Sequence, residues 1–183
     1  MKTLWIQVLV WLAAVTAALL LAAAAPNESK LMGRLPPLHA KRLNQQPIAL
    51  PHGLPAGRTL ALVAFHREQR REVESWIKGM GLRDNDAIPW LKMPVLDDPG
   101  SESARGVIEN GLLARHVGEV DRARLVPVFT NRDAFIRAAG LSSPDHAWVL
   151  VIGRDGQVLA RVEGEYNEAK AQALRETLLA EGF

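Results

Sequence analysis

The sequence predicts an α/β domain of three layers, a mixed central sheet of parallel strands plus a C-terminal β-hairpin, flanked by helices. Three observations carry this expectation. Residues 60–65 (LALVAF) and 147–152 (AWVLVI) are apolar at consecutive positions, as in strands covered on both faces. Between them, strand-like and helix-like segments alternate, which implies parallel crossover connections. After the second run, Gly153-Arg154-Asp155-Gly156 leads into a segment with Val158, Ala160 and Val162 at period two. Asp-Gly between two such runs is a strong hairpin signal.

The chain opens with Lys2 and an apolar stretch, residues 4–25, interrupted only by Gln7 and Thr16 and ending in Ala22, Ala23, Ala24 and Ala25. A basic start, an apolar centre and a small-residue end describe a signal peptide, and about 20 apolar residues also suffice for an N-terminal membrane anchor. Both alternatives predict an exported domain, periplasmic or anchored to the inner membrane. Against them, Lys30, Arg34, Lys41 and Arg42 place more positive charge after the stretch than before it. Residues 26–57 hold Pro26, Pro36, Pro37, Pro47, Pro51 and Pro55, which predicts an extended tether with residues 48–50 as a short edge strand.

Residues 58–183 form the expected domain. After the first strand, Val73, Trp76, Ile77 and Met80 make one stripe of a helix that Gly81 stops. Residues 88–96 (IPWLKMPVL) predict a second strand, with Pro89 and Pro94 pushing it toward an edge or an irregular path. Ser101 then caps a helix with Ala104, Val107, Ile108 and Leu112 inward. Residues 125–129 predict a third strand, and Asn131 caps a short helix that ends at Gly140. After the hairpin, Asn167 caps a final helix with Ala171, Leu174 and Leu178 inward.

Composition narrows the chemistry. Twenty-two Lys and Arg against 20 Asp and Glu leave a net charge of +2 with no concentrated basic block, so no nucleic-acid partner is expected. The chain has no cysteine, which removes disulfides, thiolate metal sites and every thiol-based reaction by this chain alone. Neither a Walker loop nor G-x-G-x-x-G nor a G-x-S-x-G elbow is present, and no cofactor is expected.

The order strand, helix, strand, helix, strand, helix, hairpin, helix resembles the thioredoxin-like superfamily with a central insertion. Residues 125–164 resemble the back half of its thiol-disulfide and peroxidase members, with Ile152-Gly153-Arg154-Asp155-Gly156 and Gly164 at the places of a recurring I-D-x-D-G and a closing glycine. Residues 62–77 (LVAFHREQRREVESWI) and 107–113 (VIENGLL) further resemble bacterial relatives of the mitochondrial assembly factor for the ATP synthase membrane sector. The enzymes of the superfamily carry a C-x-x-C or a lone cysteine between the first strand and helix, where this chain has His66-Arg67-Glu68-Gln69-Arg70-Arg71. They also carry a cis-proline before the central strand, where this chain has Ala147, with Pro144 three residues earlier.

The expected function is therefore a non-catalytic, cysteine-free protein-binding module of the cell envelope. The resemblance implies help in assembling a membrane complex, with another protein as partner and the membrane met through the N-terminal segment. The expected contact surface joins His66, Arg67 and Arg70 to Pro144, Asp145 and His146, at the end of the first strand and the loop before the central one. The alternative is a hydrolytic enzyme or metal-binding protein using His66 or His146 with nearby carboxylates such as Glu68 or Glu72. Ser143, Asp145 and His146 crowd three triad residue types into one loop, where they rarely align. Met80 and Met93 lie on core-like stripes and predict packing rather than copper ligation.

Overall fold

A computed structural model describes residues 32–180. The leader, residues 1–25, and the first part of the proposed tether lie outside them. Among the described residues no helix is long and apolar enough to cross a membrane.

The strands β1 (Leu38–Lys41) and β2 (Pro47–Leu50) form an antiparallel hairpin. Five more build the main sheet: β3 (Arg58–Ala64), β4 (Trp90–Asp97), β5 (Val128–Thr130), β6 (Trp148–Gly153) and β7 (Val158–Glu163). Their order is β5-β4-β3-β6-β7. β3 to β5 run parallel, and β6 is antiparallel to both β3 and β7. As the two continuous apolar runs require, β3 and β6 are adjacent at the centre of the sheet. Among the described residues, five helices accompany them: α1 (Arg70–Gly79), α2 (Glu102–Leu113), α3 (Glu119–Arg124), α4 (Arg132–Ala138) and α5 (Glu168–Leu179).

Each face of the sheet has its own core. Ala61, Val63, Leu91, Met93, Leu150 and Ile152 point to one side, beneath α4 and the β1–β2 hairpin. Leu60, Leu62, Val149 and Val151 point to the other, where Val73, Trp76, Ile77 and Met80 of the α1 region and Ala171 and Leu174 of α5 cover them. Met80 and Met93 are both core residues, Met93 fully enclosed. The capping residues act as expected: Ser101 Oγ accepts from Ala104 N, Asn131 Oδ1 from Ala134 N, and Asn167 Oδ1 from Ala169 N and Lys170 N. The Asp-Gly turn closes through Gly156 N–H to the Gly153 carbonyl (2.8 Å), with Gly156 at φ +90°, a conformation that favours glycine.

The structure differs from the sequence expectation in three places. Residues 32–57 are no extended tether. Leu35, Leu43, Ile48, Leu50 and Leu54 are buried, and the segment is buttoned to the hairpin by Leu35 N–H to the Gly156 carbonyl (2.7 Å) and Val158 N–H to the Gly33 carbonyl (3.1 Å). The prolines obscured five leucine and isoleucine anchors whose spacing is irregular because the segment is mostly loop. Second, β4 is interior rather than at an edge. Pro89 precedes the strand, and β5 pairs with residues 95–97 beyond Pro94, so neither proline blocks the neighbour. Third, α2 buries none of its residues, and Val107 is 72% exposed. Its apolar stripe faces the sheet across open space instead of against it.

Candidate functional site

The end of β3 turns into α1 through a single 3-10 turn, Arg67–Gln69. Gln69 is buried there and clasps two loops at once. Its Oε1 accepts from the backbone N–H of Phe65 (2.8 Å) and His66 (3.2 Å), and its Nε2 donates to the Pro144 carbonyl (2.6 Å). One helical turn later, Glu72 forms a second clasp. Its Oε2 accepts from Ala147 N (2.6 Å) and its Oε1 meets His146 Nδ1 at 3.0 Å. Trp148 Nε1 donates to the Ser143 carbonyl (3.0 Å) and pins the same loop from below. The two halves of the expected surface are thus joined, through Gln69 and Glu72.

The clasps use polar groups structurally. Ser143 Oγ accepts from Asp145 N (3.3 Å), and His146 faces Glu72, so no Ser-His-Asp relay forms in this loop. Asp98 binds Gly100 N and Arg105, and Asp97 accepts from Arg132 N, so this carboxylate pair braces helix starts. Among the described residues, no group of three His, Asp or Glu side chains is arranged to hold a metal ion.

The hydrogen bond that the His146 ring donates to Glu72, reinforced by the carboxylate charge, raises the His146 pKa above its ordinary 6.5. A raised histidine pKa means that the ring is fully charged for its attraction to Glu72 once pH falls below 6.5, and that the attraction fades as pH rises through the raised value. An NMR titration of the His146 ring should give a midpoint above 6.5, and Glu72→Gln should return it toward 6.5 while keeping an acceptor for Ala147 N. An unchanged midpoint in the variant would mean that the pair is not formed in solution.

His66, Arg67 and Arg70 also line a groove that Pro144, Asp145 and His146 do not reach. This cavity of about 380 Å³ lies between the first turns of α1, the strand β4 and the open face of α2. Its apolar surface comes from residues such as Val73, Pro94, Leu96, Ile108 and Leu112. One wall carries a charge cluster that the sequence reading missed. Lys92, 7% exposed, meets Glu74 Oε1 at 3.4 Å and Asp121 Oδ1 at 3.2 Å, Arg83 binds Glu74 (2.8 Å), and His116 Nδ1 lies 2.8 Å from Asp121. Burial pushes both carboxyls up. For Glu74 the Arg83 hydrogen bond and the Lys92 charge outweigh it, and for Asp121 the His116 hydrogen bond and Lys92 do, so both lie below their ordinary values. The signal was present in IPWLKMPVL: a lone lysine in an apolar strand needs a carboxylate partner when buried.

No protein-family model and no curated protein matches the sequence. Solved structures match the fold. One is a candidate electron transfer protein from Aquifex aeolicus VF5, with TM-score 0.57 and 12% identity over 82% of this chain and 95% of that chain. BsSco, a member of the Sco family of cytochrome c oxidase assembly proteins, gives 0.55 and 13% over 82% and 96%. The exposed lipoprotein thioredoxin Etrx1 from Streptococcus pneumoniae strain TIGR4 gives 0.50 and 12% over 77% and 99%. The chain therefore has a thioredoxin-like fold, and it has that fold without a single cysteine.

Proposed function

We propose that this chain is a non-catalytic, thiol-free binding module of the cell envelope that holds a protein partner and assists assembly of a membrane complex. One observation carries the reading: where thiol enzymes of this fold place a reactive sulfur, Gln69 and Glu72 are committed to holding loops together. A site whose polar groups are engaged in this way presents a shaped surface rather than a poised reagent. The alternative of an enzyme or metal site on His66 or His146 lacks support, since His66 meets no carboxylate among the described residues and His146 is held by Glu72. The apolar leader supports an envelope location. The likeness of residues 62–77 and 107–113 to ATP synthase assembly factors, and the fold shared with an assembly protein of the Sco family, support a membrane-complex subunit as the partner.

Arg67 and Arg70 are exposed and pair with no carboxylate among the described residues. Arg67→Glu/Arg70→Glu should leave folding intact to within about 0.5 kcal/mol per site, as for surface changes in general. It should weaken co-purification of a partner from solubilised membranes, most at low salt where charge is least screened. Equal recovery of every co-purifying protein by wild type and variant would remove this surface from consideration.

A further inference from the structure

We infer that the groove between α1 and α2 receives the apolar face of an acidic amphipathic helix, an assignment that rests on the binding-module reading and names the kind of partner. The groove is apolar in its depth and cationic at its rim. Ile108 and Leu112 of α2 face Val73 of α1 across a floor of Pro94 and Leu96. At 1.5 Å per residue, the 12-residue α2 gives a wall about 18 Å long, room for roughly three turns of a second helix. Among the described residues, the apolar surface is left open. Of the four large hydrophobic residues strongly exposed among the described ones, Val107 lies on α2 and lines the groove, while Val117 follows α2 and Val120 lies on α3, outside the lining.

Charge decides the occupant. Arg67 and Arg70 on one wall and Arg115 on the other pair with no carboxylate among the described residues. Most other arginines do pair, Arg83 with Glu74, Arg105 with Asp98, Arg124 with Asp86 and Arg175 with Glu168 among them. Glu74, the carboxylate in the lining, is already matched by Lys92 and Arg83, while Glu68 is exposed outside the lining. The rim therefore keeps a surplus of positive charge on both sides of an apolar slot. A single-headed amphiphile such as a fatty acid would leave two of three guanidinium groups unmatched. A helix with an apolar stripe between rows of carboxylates meets all three.

The probe is a dye-labelled peptide of about 15 residues, long enough for helix, with leucine on one stripe and glutamate elsewhere. It is titrated by fluorescence anisotropy with the full chain in nanodiscs of zwitterionic lipid, with empty nanodiscs subtracted. Wild type should bind it saturably. Val107→Glu/Arg115→Glu, both exposed positions on or after α2, should keep the wild-type thermal midpoint and weaken binding at least about tenfold. The same peptide with lysine for glutamate should bind wild type at least about tenfold less tightly. Equal affinity of variant and wild type, equal affinity for the lysine peptide, absence of saturable binding, or displacement by equimolar dodecanoate would each overturn the assignment. Partner capture lost in Arg67→Glu/Arg70→Glu but retained in Val107→Glu/Arg115→Glu would leave the binding-module reading standing and remove the groove from it.

Discussion

Trp76→Ala should destabilise the fold by about 3–5 kcal/mol, the range for deleting a large core aromatic. Trp76 is fully enclosed on the α1 face of the sheet, and its ring meets Tyr166 edge-on at 5.3 Å. Its Nε1 donates to the Gly164 carbonyl at 2.8 Å, tying α1 to the segment that leaves β7. Gly79 makes room for this arrangement, since a Cβ there would sit 2.5 Å from the Tyr166 ring. Trp76→Phe keeps much of the packing and loses the hydrogen bond, so its cost should be smaller, about 1–3 kcal/mol for the orphaned acceptor. At about 2–4 °C per kcal/mol for a chain of this size, the alanine variant should melt roughly 6–20 °C lower. An unchanged midpoint would show that the α1 stripe is not the core of that face.

The second large effect is expected at Lys92 and is asymmetric. Glu74→Gln/Asp121→Asn leaves a lysine that is 7% exposed with no carboxylate, and breaking a buried pair in this way costs about 3–5 kcal/mol. Lys92→Met removes the buried charge and keeps its aliphatic volume. The carboxylates left behind are 34% and 29% exposed and retain Arg83 and His116, so about 1–2 kcal/mol is expected after screening. Because both carboxyls are held below their ordinary 4.5 and 3.8, their contribution is complete above those values and lost as pH falls through the lowered ones. Denaturant melts at neutral pH and below pH about 4 should therefore show a steeper acid loss for wild type than for the double carboxylate variant. Equal costs for Lys92→Met and the double variant would contradict the burial of this charge.

The sheet was legible because its information is local. Consecutive apolar residues in 60–65 and 147–152, the Asp-Gly turn and the Asn and Ser caps each report their own backbone, and each element was found there. What escaped depends on partners distant in sequence. The apolar stripe of α2 reads like that of any buried helix, since periodicity shows which residues share a face and not what covers that face. The packing of Leu35 to Leu54 onto the domain has no period at all, and α3 is too short to show one. The candidate surface divides in the same way. His66, Arg67 and Arg70 were placed by the strand that precedes them. The Gln69–Pro144 and Glu72–His146 clasps span 75 and 74 residues and exist only after folding.

The central proposal is that the end of β3 and the start of α1 form a partner-binding surface. The most direct measurement is photocrosslinking in intact cells from a light-reactive residue placed at Arg67, with the same residue at Arg154, in the β6–β7 turn, as control. Both positions are exposed, so neither insertion should disturb the fold. The expected result is a discrete adduct from position 67 that is absent from position 154 and is diminished when Arg70 is changed to Glu. No adduct from position 67, or the same adducts from both positions, would contradict it.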